Sequence, residues 1–161
     1  MDSNLLRTVS FLRSLTDEEL AAFDALLTIR EFKARERIIE EGTPVFAIYL
    51  VCDGIVHVRR LGKGREILLG RLGVGGFFGE INLFDPGIAT ASIYAMKATR
   101  IACVEYEPLR TFMASHPATG YKMVSAMMTE MSRRLRQISG RLVNMAYWSS
   151  SEASLSKPEA S

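Results

Sequence analysis

Histidine, cysteine and tryptophan are scarce in this chain of 161 residues, at two, two and one. His57 and His116 stand far apart, and no grouping of Cys, His, Asp and Glu has metal-ligand spacing, so no metal centre is expected. Cys52 and Cys103 each sit inside an apolar run, where a thiol behaves as a small hydrophobe, and a reducing, cytoplasmic setting is expected. Charge of one sign is missing too. Twenty basic residues face 18 acidic ones for a net charge of +2, which offers no strong field for nucleic acid or an anionic membrane. No apolar run reaches 18 residues and the N-terminus lacks a basic start followed by an apolar core, so neither a membrane span nor a leader is expected. With no nucleophile elbow and no catalytic cluster, no catalytic residue is proposed and an enzyme is not expected.

What is present is ordinary globular material, 48% hydrophobic and 24% charged, enough for one domain with its own core. Thr16 followed by Glu19 forms a capping box that opens a helix with Leu20, Phe23, Leu26 and Leu27 on its apolar face. After Lys33 the pattern changes to short extended runs at 37–41, 46–52, 54–60, 66–72, 92–96 and 99–106. Gly42-Thr43-Pro44, Asp53-Gly54, Gly62-Lys63-Gly64 and Pro86-Gly87 supply the turns between them. Many short strands at this spacing argue for an antiparallel sandwich or jelly roll.

A helix is expected from about 117 to 147. Tyr121, Val124, Met128, Met131, Leu135, Ile138, Leu142 and Met145 recur in steps of three and four, a heptad seam suited to a second helix. Met127 and Val143 widen the apolar face, so packing of part of this helix on its own domain stays open. The seam makes a homodimer the expected assembly. Arg133, Arg134, Arg136 and Arg141 are read as a solvated basic face of the same helix.

Glycines 73, 75, 76 and 79 crowd seven residues, as in a turn that brings backbone close to an anion. Gly73-Val74-Gly75 opens a dinucleotide-type motif, but Phe78 takes the third glycine position and the following helix, over Glu80 to Phe84, is too short. The segment Phe78-Gly79-Glu80-Ile81-Asn82-Leu83-Phe84, with Thr90-Ala91-Ser92-Ile93, resembles the phosphate-binding cassette of cyclic-nucleotide-binding domains. The resemblance extends over about residues 10–146. It implies a mainly β, α+β fold, an antiparallel jelly roll over about 28–106 with an N-terminal helix and a long C-terminal dimerisation helix.

The same resemblance implies a ligand site at Gly79, Glu80, Ile81, Asn82, Ala89, Thr90 and Ala91, with Glu80 on the ribose 2'-hydroxyl. The family's phosphate-clamping arginine falls on Ala89 and the preceding proline on Ile88. An arginine–phosphate hydrogen bond is worth roughly 1.5–3 kcal/mol, so its loss weakens binding by about one to two decades or more. Arg65, Arg71 and Lys97 are candidates for a replacement cation. On the long helix, the family's Thr-Ser pair that reaches the base falls on Ile138-Ser139, which leaves Ser139 as the remaining contact. Residues 1–146 are thus expected to form one cyclic-nucleotide-binding-like domain, and 149–161 a disordered tail without a DNA-reading element. Two functions stay open. One is a regulatory module that binds cAMP, cGMP or a cyclic dinucleotide weakly or in altered fashion, requiring no cofactor; the other is a dimeric protein-interaction module that has lost the ligand.

Overall fold

The computed structural model describes the backbone of residues 1–155, with side chains for 1–145 and Tyr147. Helix α1 (Ser3–Thr8), a 3₁₀ turn (Ser10–Leu12) and helix α2 (Asp17–Asp24) precede the strands. The strands are β1 (Thr28–Phe32), β2 (Arg37–Ile39), β3 (Ala47–Asp53), β4 (Val56–Gly62), β5 (Arg65–Leu72), β6 (Phe77–Phe78), β7 (Ser92–Ala95) and β8 (Thr99–Glu105). A single-turn helix, α3 (Ile81–Phe84), lies between β6 and β7, and α4 (Tyr106–Ser115) and α5 (Pro117–Leu155) follow β8.

The strands form two four-stranded sheets in the orders β1-β8-β3-β6 and β2-β7-β4-β5, with antiparallel pairing throughout. This is the expected jelly roll. Alternation along β3 and β8 puts Ile48, Leu50, Ala102 and Val104 on one face, each at most 1% exposed. Phe11 in the 3₁₀ turn seals one end, edge-on to Phe77 at 4.9 Å between ring centroids.

The capping box at α2 forms as expected: the Glu19 amide donates to Thr16 Oγ1 at 3.2 Å and the Thr16 amide to Glu19 Oε2 at 2.8 Å. Glu19 also ties α2 to α5, accepting from Thr119 Oγ1 at 2.6 Å and Lys122 Nζ at 3.0 Å. These bonds, with Thr119 foremost, hold the Glu19 carboxyl down at about 2.

Three elements depart from the sequence reading. Helix α2 stops at Asp24, so Leu26 and Leu27 belong to the turn into β1 and pack on the core from there. Helix α4 runs straight on from β8 with no glycine or side-chain cap, and takes Tyr106 from the expected strand; Pro108 in its first turn is the one local signal of the change. Helix α5 continues to Leu155, past the expected end near 147; residues 149–155 of the expected tail lie in it, and 156–161 lie outside the described residues.

Helix α5 carries two apolar faces. Met123 and Met127 are fully buried against the domain. On another face Tyr121, Met128, Leu135, Ile138, Leu142 and Met145 are 53–76% exposed, while Val124 and Met131 are half-buried.

Candidate ligand site

Strand β6 delivers the chain to Gly79, whose φ of 86° is open to glycine and whose added Cβ would lie 2.4 Å from the Ala47 carbonyl oxygen. Backbone approach is therefore enforced here by packing on β3. Tyr106, at the start of α4, donates its hydroxyl to the Gly79 carbonyl at 2.5 Å, and Arg110 Nη2 donates to the Leu83 carbonyl at 2.8 Å. Burial pushes the Tyr106 phenol well up, so it stays a donor. Helix α4 thus braces both sides of α3.

Beneath this segment is a cavity of about 560 Å³, walled by the sheet β2-β7-β4-β5 and covered by α5. Ile39, Val45, Val58, Leu72 and Ile93 form apolar walls. Gly79, Glu80, Ile81, Asn82, Ala89, Thr90 and Ala91, all proposed from sequence, line it together. Ser139 does not: it is exposed on α5, while Leu135, Ile138 and Arg141 reach the cavity.

Glu80 is 5% exposed. Burial pushes its carboxyl up and the neighbouring Arg134 guanidinium opposes that rise. Arg134 is the residue that faces Glu80, and the sequence reading did not place it in the site. Its Nη1 donates to Glu80 Oε1 at 2.9 Å, its Nη2 to the Phe77 carbonyl at 2.9 Å, and its Nε to Glu130 Oε1 at 3.4 Å. The guanidinium also lies over the Phe77 ring, 4.7 Å from the centroid.

The solvated-face reading of the helix arginines is therefore corrected for Arg134; Arg141 is exposed as expected, though it borders the cavity and its Nη1 donates to the Leu69 carbonyl at 3.1 Å. The signal was available in spacing. Met123, Met127, Glu130, Arg134 and Arg141 follow in steps of four, three, four and seven, one stripe of one helix, and the two methionines at its head are buried.

Ala89 occupies the position where the cassette resemblance calls for a cation. It is 6% exposed; its amide donates to the Thr43 carbonyl at 2.8 Å and its own carbonyl accepts from the Gly42 amide at 2.9 Å. Of the three proposed replacements, Arg71 lines the cavity. Arg65 and Lys97 are not among the lining residues. Arg71 is paired across the strands with His57, whose pKa it helps to depress behind burial as the larger cause.

A glycine turn, a buried glutamate and a long helix thus close one side of the jelly roll around a cavity. Residues 29–116, more than half of the chain, match the cyclic nucleotide-binding domain family, and the chain belongs to it. It is 28% identical over 148 residues to the CRP-like cAMP-activated global transcriptional regulator of Mycobacterium tuberculosis, an alignment covering 91% of this chain and 64% of that protein. The chain thus spans under two thirds of that relative. Among solved structures it is similar to the catabolite activator protein of Thermus thermophilus, with 26% identity, a TM-score of 0.74, and coverage of 86% of this chain and 63% of that one. A cyclic nucleotide-binding domain from Methylobacillus flagellatus shares the fold at 19% identity with a TM-score of 0.79, covering 88% of this chain and 80% of that one. No helix among the described residues is long and apolar enough to cross a membrane.

Proposed function

We propose that this chain is a signalling module that takes a small regulatory ligand in the cassette cavity, and that Ala89 leaves its binding of cyclic nucleotides weak or altered. The observation that carries this reading is the pairing of an intact cavity with a missing clamp. Gly79, Glu80, Thr90 and Ala91 line one space as a cassette should, yet Ala89 presents a methyl group and each of the Arg134 nitrogens already has a partner. Residues 1–146 act as one ligand-binding unit, cytoplasmic and without a DNA partner of their own. Two copies pair through the exposed face of α5, at Val124, Met128, Met131, Leu135, Ile138, Leu142 and Met145.

Calorimetric titration with cAMP, cGMP and a cyclic dinucleotide, run beside Ala89→Arg, tests this. The unmodified protein should bind cAMP and cGMP at least about tenfold more weakly than the variant, because the variant regains a charge-assisted contact to phosphate. Equal affinities would remove Ala89 as the cause. The Glu80–Arg134 ion pair favours a second reading, a dimeric interaction module without a ligand, since the half-buried arginine neutralises the buried Glu80 carboxylate without one. Silence of both proteins toward all three nucleotides would favour that reading.

A further inference from the structure

The charged side chains around the cavity are not spread evenly. At the cassette end Glu80 and Glu130 hold Arg134 between them, Glu130 takes Arg133 as well, and Ala89 adds no charge. Arg141 lies two turns further along α5, about 10 Å away at 1.5 Å per residue. Its guanidinium reaches across to β5, where Nη1 donates to the Leu69 carbonyl at 3.1 Å. Arg71, two residues beyond Leu69 on the same strand, also lines the cavity. Neither Arg141 nor Arg71 has a carboxylate partner among the described residues.

The lining is therefore polarised along its length. Carboxylates with a shared cation stand at the cassette, and guanidinium without a counter-charge stands at the β5–α5 rim. Arg141 spends one N–H on Leu69 and keeps its remaining donors. Between the two ends Val58, Leu72, Ile93, Leu135 and Ile138 supply aliphatic wall. Leu69 is 45% exposed and Arg141 is exposed, so this rim is open to solvent.

We infer that the ligand is an organic anion with an apolar body, and that Arg141 holds its acidic head at the β5–α5 rim. The molecule then lies reversed with respect to the cassette, its body against the aliphatic walls and its hydroxyl or amine donors toward Glu80. This rests on the reading of the cavity as a ligand site, and adds the end at which the charge is recognised. A guanidinium already tethered to β5 meets the head in a fixed position, and two of its nitrogens can face one acid group.

Two fluorescent probes with one arylamine body separate the head from the body: anilinonaphthalene sulfonate, and N-phenylnaphthylamine, which is neutral. In the full chain, Arg141→Gln should weaken the sulfonate by about tenfold and change the affinity for the neutral probe by less than about twofold. Arg136→Gln removes an exposed arginine of the same helix that is not among the lining residues, and should change neither. Ala91→Trp, which fills the cavity, should weaken both probes by about tenfold or more. Circular dichroism of each variant reports whether it is folded.

Sulfonate binding that Ala91→Trp abolishes and Arg141→Gln leaves unchanged would overturn the inference while leaving the cavity a ligand site. Equal weakening by Arg141→Gln and Arg136→Gln would overturn it as well, because overall charge alone would then account for the loss. So would equal losses of both probes in Arg141→Gln, which would make the arginine a wall and not a clamp. Absence of binding by either probe would remove both this inference and the ligand-site reading on which it rests.

Discussion

Ala89 and Arg134 divide the candidate site between what is missing and what is held. The alanine methyl leaves room and no charge, whereas the arginine supplies a charge that its own neighbours consume. Glu19 shows the same logic outside the site. Its carboxyl, held at about 2 by Thr119, Thr16 and Lys122, has a folded pKa below its unfolded one. Such a group stabilises the fold fully above its unfolded pKa, and that stability is lost as pH falls from about 4.5 toward about 2. Urea unfolding measured between these limits should therefore show a shallower loss of stability with acid in Glu19→Gln than in the parent. An unchanged slope would mean that other carboxylates dominate. At this scale the sequence made Glu80 and the cassette positions legible, because their residue types are tied to a local turn. It hid Arg134, whose role depends on contacts with Glu80, 54 residues away in the chain.

Helix α5 is the element with the most to explain, since one stripe of it is buried and another is exposed. The heptad reading identified the exposed stripe, and Met127, noted as widening the face, marks the inner one. Gly140 lies in this helix with nothing within 4 Å of the place where a Cβ would stand. Gly140→Ala should stabilise the protein by about 0.5–1 kcal/mol, read as a rise of roughly 1–4 °C in Tm. No rise would show that some contact made only in an assembly needs the glycine. Elements with punctuation, such as α2 with its capping box, were plain in the sequence. Helix α4 was harder to see: Tyr106 follows Glu105 without a cap, and its signals are only Pro108 in the first turn and the buried Tyr106, Leu109 and Phe112 at steps of three.

The whole molecule leaves an apolar row along α5 in contact with solvent. Met128 and Leu142 are 57% and 60% exposed, and neither lines the cavity. Replacing both with glutamate should turn a dimer into a monomer in sedimentation velocity while circular dichroism stays unchanged, because burying an unpaired carboxylate at a helix seam costs several kcal/mol. A dimer that survives would have to be built elsewhere. The jelly roll as a whole was legible from strand spacing and turn residues. The cavity was not, since its volume is a product of how β4, β7 and α5 meet in space.

One consequence of the Arg134 contacts is mechanical. Arg134 is a point at which α5 is tied to the cassette, through Glu80 and Phe77. From there to Leu155 the helix rises about 30 Å at 1.5 Å per residue. Treated as a rigid rod pivoting at that tie, a tilt of only about 5° would carry its far end by nearly 3 Å. A molecule that displaced Arg134 from Glu80 would therefore act on the short arm of a lever, and whatever is attached near the far end would feel the larger movement.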